Sequence, residues 1–217
     1  MMQLEVISLT LGMVDTNAYL IGDLNTKRAI LIDPVDNADV LLKTAQDKGW
    51  EIALVLATHA HFDHVLASKA IQESTGAPFW IHRDCVEWLE SLPLQGKRFG
   101  LGNFPEAAVP DRLLDNNSEI IEIDDIKLKT LYTPGHAPGH LSFYMEDENI
   151  LFSGDTLFAG SIGRTDLPGG DFELLMESIS KQLMTLPDET TVLAGHMEAT
   201  TIGQERHNNP FLLSYRG

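Results

Sequence analysis

Between Thr58 and His64 the chain reads Thr-His-Ala-His-Phe-Asp-His, which places three imidazoles and a carboxylate in consecutive reach of one another. Imidazole nitrogen and carboxylate oxygen are the donors that first-row divalent ions such as Zn²⁺ prefer. In an extended segment His59 and His61 share a face and can reach one cation, while Asp63 and His64, beyond a bend, can point to a second. The competing reading is a cluster of surface histidines. It suits a tag or a tail, whereas this cluster follows the apolar run IALVLA and precedes the helical pattern VLASKAIQES.

Four donors are too few for two ions that share a water, so further ligands must come from elsewhere. Three positions repeat one arrangement of an apolar strand, a glycine and a donor: Gly135-His136 after IKLKTLY, Gly154-Asp155 after NILF, and Gly195-His196 after TTVL. A glycine there allows the tight turn that brings a side chain back to a metal. Taken singly each is weak, since a lone His or Asp after a strand more often completes a turn. A water shared by two cations would become hydroxide near neutral pH and attack an activated carbonyl. Asp63 and Asp155 are the residues expected in catalytic roles, Asp63 chiefly as ligand and orienter and secondarily as a group that takes or passes a proton. Neither a Ser nor a Cys nucleophile is required, and no Gly-x-Ser-x-Gly elbow occurs.

The elements that must hold these donors are short apolar, β-branched runs bounded by turn residues. Strands are expected at Leu4 to Leu9, Ala18 to Ile21, Ala29 to Ile32, Ile52 to Ala57, Phe79 to Ile81, Ile126 to Leu131, Leu141 to Met145, Ile150 to Phe152 and Thr191 to Ala194. Helical spacing covers Ala38 to Lys48, Val65 to Ser74, Asp84 to Ser91 and Phe172 to Leu186. The order does not alternate strictly, so two mixed, largely antiparallel sheets with outer helices fit better than a doubly wound sheet. Leu94 to Asp115 lacks periodicity and is expected as a long surface loop, where Phe99, Leu101 and Phe104 line an entrance or cap the core.

The ligand pattern resembles the metallo-β-lactamase superfamily, His-x-His-x-Asp-His followed by His, Asp and His. Within it the chain is similar to a short bacterial form of glyoxalase II, the hydroxyacylglutathione hydrolases. The likeness rests on Thr133 to His140, Ser153 to Phe158, Gly160 to Asp166, Thr201 to Arg206 and Asn209 to Phe211. It implies an αββα sandwich of two sheets in a single domain over residues 1–217, without the C-terminal helical extension that serves glutathione in longer relatives. It also implies a first metal on His59, His61 and His136, a second on Asp63, His64 and His196, and Asp155 between them. Zinc is the expected ion, with iron or manganese as alternatives. The implied reaction is hydrolysis of a small-molecule thioester such as S-D-lactoylglutathione; an iron-dependent persulfide dioxygenase or a lactonase on the same scaffold is the alternative. The likeness departs at Met197, where the group usually has a second glycine.

The formal charge of −17 argues against a nucleic-acid partner and against docking on anionic lipid. The single Cys85 allows no internal disulfide, no signal or membrane-spanning run is evident, and the expected location is cytoplasmic. Cys85 is expected to be packing, His82 and His207 structural or exposed, and His140 a candidate support for a ligand. Arg164 is expected either to meet an anionic substrate or, the favoured reading, to form a buried ion pair with an acid such as Asp166 or Asp33. Histidines bind metal only when neutral, so metal content and activity should fall together below about pH 6.

Overall fold

The computed structural model describes residues 4–98 and 100–215. Two compact units are distinguished: one runs to Leu114 and takes in Glu122–Lys127, and the other comprises Asp115–Ile121 and the chain from Leu128 onward.

The first unit contains β1 (Leu4–Leu11), β2 (Thr16–Asp23), β3 (Arg28–Ile32), α1 (Ala38–Lys48), β4 (Glu51–Leu56), α2 (Phe62–Val65), α3 (Ser68–Thr75), β5 (Phe79–His82), α4 (Val86–Glu90), α5 (Leu92–Arg98) and β6 (Arg112–Leu114). Its sheet has the order β1-β2-β3-β4-β5-β6. The first two pairings are antiparallel and the last three parallel. Parallel neighbours need a crossover, which α1 supplies between β3 and β4, and α2 with α3 between β4 and β5. Covered on both faces, the central strands become unbroken apolar runs, and Ile30, Leu31, Ile32, Leu54, Val55 and Leu56 are all fully buried. The chain leaves β4 directly into the His59–His64 segment.

The second unit holds half of β7 (Ile120–Ile123) and most of β8 (Ile126–Tyr132), then β9 (Leu141–Met145), β10 (Ile150–Gly154), β11 (Leu157–Phe158), β12 (Ser161–Ile162), α6 (Phe172–Ser178), β13 (Thr191–Ala194), β14 (Thr200–Thr201), α7 (Ile202–Asn208) and α8 (Pro210–Ser214). The sheet order is β14-β13-β10-β9-β8-β7, with β10 and β13 parallel. Their register shifts between Phe152 and Gly154, a bulge of the kind that re-aims a side chain at a strand end. Asp171 caps α6 by accepting from the Leu174 N–H at 3.1 Å. Leu175, Met176, Ile179 and Leu183 form the buried stripe, and the helix widens where Met184 N–H reaches back to the Ile179 carbonyl.

Two mixed sheets with accompanying helices are therefore observed. Two expectations are corrected in detail, and three short strands were not expected. Leu94 to Asp115 is not wholly loop: its start lies in α5, anchored by the buried Gln95, and its end pairs with β5 as β6. The segment Val65 to Ser74 divides into α2 and α3, because Ala67 N–H bonds to the Pro34 carbonyl and interrupts the helical ladder. The pairs β11/β12 and β14 with β13 are too short to leave a periodic signal. Among the described residues no helix is long and apolar enough to cross a membrane.

Candidate metal centre

In the first unit four donors converge because β4 ends at Leu56, the chain bends at Thr58, and α2 begins straight after an extended His61. His59 and His64 are fully buried and His61 nearly so. His59 Nε2 and His61 Nδ1 lie 3.0 Å apart, and the His59 and His64 ring centroids are 4.1 Å apart.

Hydrogen-bond partners on the far side of the His64 and His59 rings set their tautomers. His64 Nδ1 lies 2.9 Å from Asp33 Oδ2, so it carries the proton and donates it to the carboxylate. Thr58 donates its hydroxyl to the same Oδ2 at 2.9 Å and its N–H to Oδ1 at 2.7 Å. With its hydrogen used, the Thr58 hydroxyl can only accept from His59 Nδ1, 3.0 Å away. Both His59 and His64 thus present an Nε2 lone pair, and one buried carboxylate determines both. Asp63 Oδ2 lies 3.4 Å from His64 Nε2 and accepts from Thr16 Oγ1 at 2.9 Å.

The second unit repeats the logic. His136 Nδ1 donates to the Arg164 carbonyl at 2.8 Å, leaving its Nε2 lone pair 3.5 Å from Asp155 Oδ2. His196 Nε2 stands 3.5 Å from that same oxygen. The β10 bulge, with Gly154 at φ 51°, swings Asp155 out of the strand, and Gly195 N–H bonds to the Gly154 carbonyl at 2.9 Å, tying His196 to the turn. Gly163 packs so close that a Cβ there would overlap the Asp155 carbonyl. Gly195 has no positive φ. At this third strand end the left-handed residue is Met197, at φ 67°.

These half-sets fit divalent cations. A lone pair facing a carboxylate oxygen is repulsive unless a positive charge lies between them. Two donors each about 2.1 Å from one tetrahedral ion are separated by about 3.4 Å, whereas a hydrogen bond would draw them to about 2.9 Å. The separations of 3.4 and 3.5 Å at Asp63/His64, His136/Asp155 and Asp155/His196 match co-ligands, whereas His59 Nε2 and His61 Nδ1, 3.0 Å apart, stand at hydrogen-bond distance and must spread to share an ion.

A family model described as the metallo-beta-lactamase superfamily matches residues 11–196. The chain belongs to the metallo-β-lactamase superfamily. It is 40% identical over 214 residues to a protein of Haemophilus influenzae named hydroxyacylglutathione hydrolase GloC, covering 98% of this chain and 99% of the relative. Among solved structures it is similar to the BLEG-1 B3 metallo-beta-lactamase (TM-score 0.90, 38% identity, 96% of this chain and 99% of the other). It is also similar to TTHA1623 in a di-iron-bound form (TM-score 0.85, 38% identity, 95% and 100%).

Several supporting residues of this superfamily member escaped sequence reasoning. Gln95, buried in α5, accepts from Phe62 N–H at 3.0 Å and donates to the Ala60 carbonyl at 3.1 Å and the Trp88 carbonyl at 2.9 Å. It clasps the backbone on both sides of His61, whose ring meets Trp88 edge-on at 5.6 Å. Gln95→Leu conserves volume and removes three hydrogen bonds at about 1 kcal/mol each. A stability loss of about 3 kcal/mol is expected in denaturant titration, with weaker metal retention; an unchanged midpoint would refute the clasp.

Other residues behave more simply. Arg164 does pair with Asp166, through two contacts of 2.7 Å, but both side chains are exposed, and Asp33 is engaged by His64 and Thr58 instead. The pair holds the Asp166 carboxyl down to about 2 and raises the Arg164 guanidinium, in each case chiefly through the shared hydrogen bonds. Burial pushes the Cys85 thiol well above its usual range, so it packs and does not react as thiolate. His82 is buried and accepts from Asp84 N–H, and His207 is exposed. Phe104 stacks on Phe62 with centroids 5.0 Å apart, Leu101 is exposed, and Phe99 lies outside the described residues.

Met197 is 58% exposed and strained by its left-handed backbone. That conformation costs a non-glycine residue about 1–2 kcal/mol, and glycine's greater freedom in the unfolded chain offsets about 0.5–1 of it. Met197→Gly should therefore stabilise by up to about 1 kcal/mol without altering metal content. A thermal melt reads the first expectation and elemental analysis the second.

Proposed function

We propose that this metallohydrolase-superfamily protein cleaves a small-molecule thioester of the S-D-lactoylglutathione kind at a two-metal site. The observation that carries the substrate class is the 40% identity, over nearly the whole of both chains, to the protein named hydroxyacylglutathione hydrolase. In this reading the half-sets of the two units hold one pair of ions within a single functional domain: His59, His61 and His136 the first, Asp63, His64 and His196 the second, with Asp155 shared. Zinc is the ion proposed, and the cytoplasm the location. When bound, such cations lower the pKa of a coordinated water toward neutrality and polarise a carbonyl.

The chain's own groups do the rest. Asp33, through Thr58 and directly, and the Arg164 carbonyl hold the imidazole lone pairs in place, so no ring must rotate when substrate arrives. Asp63, its Oδ2 already receiving the Thr16 hydroxyl, orients and can pass on a proton. A thiolate leaving group needs little further acid assistance.

The test is elemental analysis of purified protein beside turnover of S-D-lactoylglutathione, a lactone, a β-lactam and glutathione persulfide with an oxygen electrode. Two ions per chain and chelator-sensitive thioester hydrolysis are expected. One iron per chain with oxygen uptake would replace this reading by a persulfide dioxygenase, and turnover surviving strong chelator would end any metal-based account.

A further inference from the structure

We propose that His140 is a positioning residue for Asp155, held in a single tautomer by a one-way hydrogen-bond relay through Thr133 and Ser142. This rests on the reading of Asp155 as a shared metal ligand. The relay itself is read from geometry within the second unit.

Four links define it. Asp155 N–H donates to His140 Nε2 at 3.0 Å, His140 Nδ1 and Thr133 Oγ1 are 3.0 Å apart, Thr133 Oγ1 and Ser142 Oγ are 3.0 Å apart, and Ser142 Oγ reaches the Ser153 carbonyl at 3.2 Å. A backbone N–H can only donate and a carbonyl can only accept, so both ends of this series have fixed roles. Starting from the carbonyl, Ser142 spends its hydrogen on Ser153 and must accept from Thr133. Thr133 then has no hydrogen left and must accept from His140 Nδ1–H. Starting from Asp155 N–H, His140 Nε2 must be a lone pair, which again places the proton on Nδ1. The two derivations agree, and each hydroxyl gives one hydrogen and takes one.

The relay is placed to matter. His140, Thr133, Ser142 and Ser153 are all fully buried, so bulk water does not compete for these bonds. Its two ends, the Ser153 carbonyl and the Asp155 N–H, flank Gly154, the left-handed residue of the β10 bulge. The relay is thus a clamp across the turn that aims Asp155. Thr133 N–H also donates to the His140 carbonyl at 3.0 Å, closing the loop that carries His136. One imidazole therefore couples the loop of one ligand to the turn of another.

The experiment compares His140→Ala, His140→Gln, Thr133→Val and Thr133→Ser with the parent chain. Readouts are metal affinity by competition with a chromophoric chelator, using Zn²⁺ as probe, and ring-nitrogen chemical shifts by long-range ¹⁵N–¹H correlation in metal-free and loaded protein. His140 should show the Nδ1–H tautomer in both states. His140→Ala should weaken binding of one ion by about 10–100-fold, the usual cost of losing a residue that orients a ligand. His140→Gln, whose carbonyl can accept from Asp155 N–H and whose amide can donate to Thr133, should recover most of that loss. Thr133→Val should weaken binding and Thr133→Ser should not. Thermal melts of the metal-free variants separate this from unfolding, and the Gln and Ser variants carry the test where Ala or Val do not fold. An Nε2–H tautomer, or equal zinc affinity in all five proteins, overturns the positioning role while leaving the metal centre standing. A parent chain that binds no zinc overturns both.

Discussion

Asp155→Ala is expected to lower thioester turnover by about a thousandfold, corresponding to about 4 kcal/mol of lost charge stabilisation, and to remove at least one bound ion per chain. The reason is geometric. A single oxygen, Oδ2, stands 3.5 Å from both His136 Nε2 and His196 Nε2, so this carboxylate links the two imidazoles of its unit. Alanine removes the anion shared by both ions and leaves Asp63 as the one carboxylate of the proposed ligand set. The stability measurement sharpens the prediction. A ligand at 100 times its dissociation constant stabilises a folded protein by about 2.7 kcal/mol, so the parent's melting temperature should rise on zinc addition and the variant's should rise less. Asp155→Asn, which keeps the shape and drops the charge, should resemble Ala if charge is decisive and the parent if shape is. A variant retaining two ions and parental turnover would show that Asp155 lies outside the centre.

Some of this was legible in the residues and some was not, for physical reasons. Candidate metal donors are chemically distinctive: His59, His61, Asp63 and His64 stood out by their density after an apolar run, and His136, Asp155 and His196 by the glycine between strand and donor. The long strands and α1 were legible because burial writes a period or an unbroken apolar run over five or more residues. Edge elements such as β6 and β14 were not, since pairing with a neighbour, and no side-chain pattern, makes them strands. Supporting residues are hardest of all. Gln95 lies 33 positions from Phe62, and Asp33 lies 31 from His64, so nothing local marks either as part of the site. Asp33 was noticed, as a partner for Arg164, but choosing its true partner required knowing that β3 and β4 run side by side, with Ile32 opposite Leu56. Met197 shows the converse. The missing glycine was visible in sequence, yet only the backbone reveals that the left-handed turn is kept and the side chain made to tolerate it.

Asp33→Asn should damage the centre more than Asp33→Ala, although it changes the side chain less. Thr58 N–H requires an oxygen at the Oδ1 position, which directs the asparagine nitrogen to the place of Oδ2. There it becomes a donor to both His64 Nδ1 and Thr58 Oγ1, where the carboxylate had accepted from each. His64 must then move its proton to Nε2. Thr58, receiving a hydrogen bond from below, turns its own hydrogen toward His59 Nδ1, and His59 is reversed as well. Two lone pairs that should face cations become N–H groups. A loss of about 10–100-fold for each histidine, and so about 10²–10⁴ if they act independently, is expected in zinc affinity. Alanine imposes no tautomer, so it should lose less affinity. It leaves the buried Thr58 and His64 donors without this acceptor, however, at about 1–3 kcal/mol each, and should be the less stable protein in denaturant. The two variants are therefore predicted to rank in opposite orders in the two assays. If Asn and Ala rank alike in both, Asp33 supports the fold without governing the proton positions of the metal-facing rings.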